Sequence, residues 1–502
     1  MASQQQSNHS DVLIIGAGIS GIGTACHLQR GCPDRSVTIV ERRDNLGGTW
    51  DLFRYPGIRS DSDMHSFSYK FRPWDRSQVL ADGDSIREYL TDTAREHGLL
   101  DRIRYGLKIT RAEWCSDAQR WTVSALRERT GETQTFTCRF LSNCTGYYNY
   151  DEGYRPQFPG EAHFAGDIVH PQHWPQDMDY SGKRVVIIGS GATAVTLVPN
   201  MADKARHVTM LQRSPSYILS VPAKDKLTGL LQTLLPAETA HQIARKRYIA
   251  FQRSLYLASR YWPKTMRKLL LGRARRALGS DFDMRHFTPE YMPWDERLCA
   301  VPGGDMFKVL REGKASVVTD HIERFTETGI QLESGKVLDA DIIVTATGLK
   351  LQMLGGMELV VDGQPVDVGE QLTYKGVMLE GVPNMSWFFG YTNASWTLKA
   401  DLAGEYLVRL FSYMDEHDLS VVTARAGADQ RTGNDILESL QSGYIERDRG
   451  ALPRQGRSGA WKEKMHYGRD RAALLDEPVA DPALAFEPPQ PARAGQPWSA
   501  AA

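Results

Sequence analysis

DVLIIGAGISG at residues 11–21 and KRVVIIGSGATA at residues 183–194 are two copies of one signal. Each opens on an aliphatic run that reads as a strand buried on both faces, passes through a glycine turn and starts a helix. In each copy a second strand follows and ends on a polar residue. VTIVER places Glu41 at that end, and HVTMLQRS places Arg213 and Ser214 there.

In the first copy Gly16 permits the tight bend, Gly18 lets the backbone approach a pyrophosphate, and Gly21 allows helix and strand to pack closely. The amides at the helix start then face the phosphates. A carboxylate at Glu41 can accept both ribose hydroxyls but repels a 2′-phosphate, so this site suits FAD or NAD. The second copy is the GxGxxA variant, with Gly189, Gly191 and Ala194, and with Ser190, Ala192, Thr193 and Val195 completing the turn and helix start. Here a guanidinium and a hydroxyl, Arg213 and Ser214, replace the acid. They suit a 2′-phosphate dianion, so the second site should choose NADPH.

The expected fold is therefore α/β, with two Rossmann-like dinucleotide-binding domains, one for FAD and one for NADPH. LSNCTG at 141–146 and DIIVTATG at 341–348 read as strands that close the two units, the latter returning the chain to the first domain. The expected boundaries are 1–150 for the first part of the FAD domain, 151–349 for the NADPH domain, and 350–476 for the second part of the FAD domain. A helical, basic insertion covers about 223–295, and a Pro- and Ala-rich, loosely ordered tail covers 477–502.

At 502 residues the chain exceeds the roughly 250–300 at which one core stops growing. Its net charge of −1 gives no support to a general nucleic-acid role. Cysteines at 26, 32, 115, 138, 144 and 299 form neither a disulfide framework nor a zinc pattern, which points to a reducing, cytoplasmic setting and no metal. MASQQQSNHSD lacks the features of a signal peptide, and no apolar run reaches the roughly 18 residues of a membrane span. A disulfide reductase would carry a C-x4-C pair shortly after the first unit. This chain has GGTWDLFRYPG there, and Cys138 and Cys144 read as core thiols.

FAGDIVHPQHWP, from Phe164 through Gly166, His170 and Trp174 to Pro175, has the pattern F-x-G-x3-H-x3-W-P. Gly47, Gly48, Trp50, Tyr55, Pro56, Gly57 and Asp61 complete G-G-x-W-x4-Y-P-G-x3-D. With these two patterns the chain resembles the type I Baeyer-Villiger monooxygenases, a group of flavin-dependent monooxygenases. The resemblance runs from residue 11 to roughly 470. Its YNYDEGY, IIGSGATAV, PWDERLC and YTNASWTLKADL look most like the ethionamide-activating branch, with long-chain alkane and ketone oxidising enzymes also similar.

The resemblance implies a reaction in which NADPH reduces the flavin, O2 adds at its C4a carbon, and the peroxyflavin attacks an apolar ketone to give an ester or lactone. Sulfides or thioamides are further substrates it implies. It assigns Arg297 as the active-site arginine, where a bidentate, permanently charged guanidinium can stabilise oxyanions, and Asp61 as the carboxylate that positions it. It adds Ser20, Gly48, Thr49, Trp50, Arg59, Ser60, Asp61 and Ile109 to the cofactor-binding residues. His170 and Trp174 read as packing and hydrogen-bonding residues of a linker. One departure stands out: Glu296 occupies the place where family members often carry a lysine that grips the 2′-phosphate.

Two rival readings remain open: an N- or S-oxygenating flavin monooxygenase with little ketone activity, and a flavoprotein that senses redox state without turnover. The stretch from Arg245 to Arg276 contains no acid and interleaves Tyr, Phe, Leu and Trp262. It reads as an insertion that lines the substrate pocket, or as an amphipathic patch docking on anionic membranes. No obligate protein partner is expected.

Overall fold

The computed structural model describes residues 8–490 except 297, 439 and 441. Its first unit opens with strand β1 (His9–Ile15), helix α1 (Ile19–Gly31) and strand β2 (Val37–Val40). Val12 and Ile14 face one side of β1 and Leu13 and Ile15 the other, and all four are buried. An aliphatic run is what a strand covered on both faces requires. Short helices α2 (Thr49–Leu52) and α3 (Met64–Phe67), helix α4 (Gly83–Glu96) and strands β3 (Ile103–Arg104), β4 (Lys108–Cys115), β5 (Arg120–Arg127) and β6 (Glu132–Asn143) follow.

These strands belong to a nine-stranded sheet in which β6, β1, β2 and β3 lie side by side in parallel. The chain then leaves this sheet through β7 (Tyr148–Gly153). A second, five-stranded sheet holds β8 (Asp167–Val169), β9 (Arg184–Ile188) and β10 (His207–Gln212), with helix α5 (Ala192–Met201) after β9. The strand Ile342–Thr345 inserts between β9 and β8, and Ala315–Thr319 flanks β10, all in parallel. After it, Leu349–Leu351 runs antiparallel to β7, so the outgoing and returning segments are bonded to each other. Glu358–Val361 and Met385–Trp387 then add to the first sheet beside β4 and β6.

Between β10 and Ala315–Thr319 the chain forms helices α6 (Lys226–Leu234), α7 (Ala237–Tyr261) and α8 (Pro263–Leu278). The basic stretch is not uniformly solvated. Arg245 on α7 is 5% exposed and bonds Asp401 at 3.0 Å and the Ser68 carbonyl at 2.6 Å. Asp401 also meets His27 of α1 at 3.1 Å, so this one cation ties α7 to the first unit.

The expectation of a loosely ordered tail from residue 477 needs correction. Leu484–Glu487 is a strand antiparallel to Val421–Ala424, and Leu484 is buried against the first unit's core. The Pro- and Ala-rich composition hid one short alternating segment, LAFE. The rest of that tail from residue 491 lies outside the described residues.

Candidate functional site

Both glycine turns sit at the C-terminal ends of the central strands of their sheets, where the last strand carbonyls and first helix amides leave a cleft. At the first turn Gly16 has φ +100° and donates its N–H to the Val40 carbonyl at 2.8 Å. A Cβ on Gly21 would stand 1.9 Å from the Gly16 carbonyl oxygen, so only glycine lets α1 close on the turn. Gly18 caps α1 and faces Gly48.

Glu41 is 4% exposed. Its two carboxylate oxygens accept from the amides of Ala17 at 2.7 Å and Arg43 at 2.9 Å. Burial pushes this carboxyl up, against those two amide bonds, which favour its charge. A small cavity of about 70 Å3 beside it is lined by Gly16, Gly18, Glu41, Gly48 and Ile109.

At the second turn Gly189 has φ +140°, and a Cβ there would meet the Ala346 carbonyl oxygen at 2.3 Å. Gly191 caps α5 with open space around it, while Ala194 and Val195 are buried under the turn. Arg213 and Ser214 follow β10 directly and are exposed.

The start of α1, beside the first turn, and the second turn border one chamber of about 1040 Å3. From the first unit it is lined by Ser20, Thr49, Trp50, Arg59, Ser60 and Asp61, and from the second by Gly189 to Thr193, Arg213 and Ser214. Ser20 accepts a hydrogen bond from the Trp396 indole at 2.9 Å, and Trp396 stacks on Tyr147 at 5.4 Å. Arg59 pairs with Asp305 at 2.5 Å, at the head of the helix Asp305–Arg311. Its Nε and Nη2 are buried without a partner, which leaves donors for an acceptor in the chamber.

Asp61 lies on the chamber wall. Arg297 lies outside the described residues, although Glu296 and Leu298 on either side of it both line the chamber. Burial pushes the Glu296 carboxyl up and Asp295 adds to this, while Arg213 pulls the other way. Thus an acid lies within electrostatic range of Arg213 at this end of the chamber.

The F-x-G-x3-H-x3-W-P stretch does not reach the chamber. His170 accepts from the Gln172 amide at 3.2 Å and packs over Gly153 at the end of β7, next to the pair of segments joining the sheets. Burial holds its pKa below the ordinary value, so the ring is neutral near pH 7. Phe164 packs edge-on to Phe325, Gly166 passes against the Asp341 carbonyl, Trp174 packs on the second unit's core, and the Pro175 carbonyl accepts from the Met178 amide at 3.3 Å. These are structural contacts around a crossover.

All six cysteines are free, and burial pushes the Cys144 thiol up to about 12. Among the described residues no group of His, Cys, Asp and Glu is arranged to hold a metal ion. Sequence reading missed Tyr154, Cys299, Tyr391 and Arg447 on the chamber wall. Tyr154, Cys299 and Tyr391 lie at the ends of the stretches YNYDEGY, PWDERLC and YTNASWTLKADL but were not singled out within them, and no local pattern marks Arg447.

Fold and site together define a protein with two Rossmann-type nucleotide sites that share one chamber. Residues 9–229 match the flavin-binding monooxygenase-like family. Over 484 residues the chain is 58% identical to the protein of Mycobacterium tuberculosis named as FAD-containing monooxygenase MymA, covering 96% of this chain and 98% of that one. It is 49% identical over 486 residues to the FAD-containing monooxygenase EthA of the same organism, with 96% and 98% covered. The chain belongs to the flavin-binding monooxygenase-like family, near the EthA branch. The fold is also that of a steroid monooxygenase bound to NADP, with a TM-score of 0.77 at 24% identity over 96% of this chain and 100% of that one. An open cyclohexanone monooxygenase gives 0.74 at 19% identity, over 95% and 99%.

Proposed function

We propose that this chain is an FAD- and NADPH-dependent monooxygenase that inserts one oxygen atom from O2 beside the carbonyl of an apolar ketone, giving an ester or lactone, and that also oxygenates sulfides or thioamides. The observation that carries this reading is one chamber walled both by the head of α1, just past the first turn, and by the second turn itself, since a nicotinamide and an isoalloxazine could meet there. The turn at Gly16, Gly18 and Gly21, with Glu41, Gly48, Thr49, Trp50 and Ile109, would hold FAD. The turn at Gly189 to Val195, with Arg213 and Ser214, would hold NADPH.

When bound, the reduced flavin supplies the activation of O2. The chain's own residues supply the rest. Phe53, Tyr55, Phe67, Tyr147 and Trp396 give the chamber an aromatic wall that suits an apolar substrate. Arg297 donates both arms of its guanidinium to oxygen atoms that gain negative charge, and Asp61 orients it. The neutral His170 and the residues around it hold the crossover between units.

The test is a panel of linear, cyclic and aryl ketones plus a sulfide, with NADPH and O2, scored by mass spectrometry for one added oxygen. Ketone to ester conversion is the expected result, and sulfide oxidation alone would shift the reading to heteroatom oxygenation. Arg297→Ala should keep its flavin but lose about two to three decades of ester formation. Near wild-type turnover in that variant would overturn its assignment.

We also propose that helices α6 to α8 dock on anionic membranes. No residue between 223 and 295 lines the chamber, so the insertion does not form the substrate pocket's wall. Instead it exposes Leu230, Leu234, Phe251, Tyr261, Trp262 and Leu269, with Tyr261 at 73% and Trp262 at 65%. Lys246, Arg253, Lys264 and Lys268 are exposed beside them. Apolar tips framed by cations match an anionic interface. Among the described residues no helix is long and apolar enough to cross a membrane. Co-sedimentation with vesicles containing phosphatidylglycerol, lost in Trp262→Ala/Lys264→Glu/Lys268→Glu, is the expected outcome. Equal binding to purely zwitterionic vesicles, or none to either, would sink the idea.

A further inference from the structure

Arg447 stands on the helix Gly443–Asp448, far in sequence from either glycine turn. Its guanidinium lies over the Tyr154 ring at 3.5 Å, and its Nη2 is 3.3 Å from where a Cβ on Gly348 would stand. Tyr154 is itself pinned: its amide donates to the Gly348 carbonyl at 3.0 Å, and its carbonyl accepts from Thr347 at 2.6 Å. The guanidinium is thus held by stacking at the C-terminal edge of Ile342–Thr345, beside the chamber.

β9 lies between that strand on one side and β10, which delivers Arg213, on the other. The Gly189–Gly191 turn therefore lies between two guanidinium groups, both on the chamber wall. Among the described residues neither has a carboxylate within ion-pairing distance. Burial lowers the Arg447 pKa, and the like charge of Arg213 adds to this against Tyr154 and Asp448. Two cations held facing one turn, neither ion-paired with a carboxylate among the described residues, make a site that gains stability when phosphoryl oxygens arrive. They also offset Glu296, whose charge opposes an anionic ligand at this end of the chamber.

We propose that Arg447 is a second phosphate-holding residue of the NADPH site, acting with Arg213 across the glycine turn. This rests on the reading of the second turn as an NADPH site. Tyr154 is its positioning residue: the ring presents the guanidinium plane without neutralising it, as a carboxylate partner would.

The test uses the purified flavin-loaded protein and two fragments that cannot be reduced or oxidised as nicotinamide is, 2′-phospho-ADP-ribose and ADP-ribose, titrated by calorimetry. Arg447→Ala should weaken 2′-phospho-ADP-ribose about ten- to hundredfold, the range for losing one charge-assisted contact, with a shallower dependence on salt. Flavin content and melting temperature should stay at wild-type values. Arg447→Lys, which keeps the charge, should recover part of the affinity, a rescue that a purely packing role would not show. An equal loss for ADP-ribose would support a contact with the pyrophosphate, and a loss confined to the other fragment a contact with the 2′-phosphate. Unchanged affinity for both in Arg447→Ala would overturn the proposal while leaving the NADPH site standing. Failure of the wild-type protein to bind either fragment would instead bring down the NADPH site and this proposal with it.

Discussion

The two glycine turns share a pattern and differ in enclosure. At the first, α1 is buried from Ser20 through Leu28, and the polar residue at the strand end, Glu41, is sealed in with both oxygens on backbone amides. At the second, Gly191 and Ala192 are exposed, and the strand-end residue, Arg213, points into the open chamber. Hydrogen bonds in a dry pocket are strong and slow to exchange, whereas an exposed cation binds through a charge that salt can screen. The first turn is enclosed by its own helix and strand. The second is open to the chamber, and this difference suits the proposed prosthetic flavin at the first and an exchanging nicotinamide nucleotide at the second.

The largest expected effect breaks the first turn and spares the second. Gly21→Ala puts a methyl group 1.9 Å from the Gly16 carbonyl oxygen, so the turn must open and the purified protein should be colourless. Ala194→Gly removes a methyl group that already fits, costing about 1 kcal/mol of helix stability and leaving nucleotide binding intact. Flavin absorbance and thermal melting read both. A yellow Gly21→Ala protein would dissolve the contrast drawn here.

A smaller effect separates the two strand-end residues. Glu41→Arg should lower flavin content, because the acceptor for ribose hydroxyls becomes a donor. Arg213→Ala should retain its flavin and raise the KM for NADPH about ten- to hundredfold, with little change for NADH. Raising ionic strength should likewise weaken NADPH without releasing flavin. Flavin loss from the Arg213 variant, or equal KM changes for both nucleotides, would show that the sites are not divided in this way.

The smallest effect concerns the anchor between α7 and the first unit. His65 and His241 are buried there, and burial takes each pKa down to about 4, with Asp225 opposing at His65 and Arg245 reinforcing at His241. The unfolded chain then binds more protons than the folded one between roughly pH 6.5 and 4, so these two histidines make stability fall as pH falls through that window. Asp63, raised by burial to about 6, acts in the opposite direction over part of it. His241→Gln should therefore flatten the decline of melting temperature below pH 6.5. An unchanged slope would mean that His241 takes up its proton as readily as it does in the unfolded chain.

How much was legible beforehand follows from the range of the interactions. A glycine turn, its strand and its strand-end residue lie within about 30 residues, so Gly16, Gly18, Gly21, Glu41 and their counterparts up to Arg213 could be read as local spacing. That reading set the α/β class, the expectation of two nucleotide sites and the charge expected at each ligand's ribose end. The tertiary structure alone decided where distant segments meet. Arg245, one letter in a basic run, is buried because Asp401, 156 residues away, needs a cation. Phe164 to Pro175 fastens a crossover instead of lining the chamber, because β7 and Leu349–Leu351 pair beside it. Arg447 stands on the chamber wall only because Tyr154 and Gly348 build its platform. Spacing records contacts along the chain, while a chamber between two sheets is made of contacts across it.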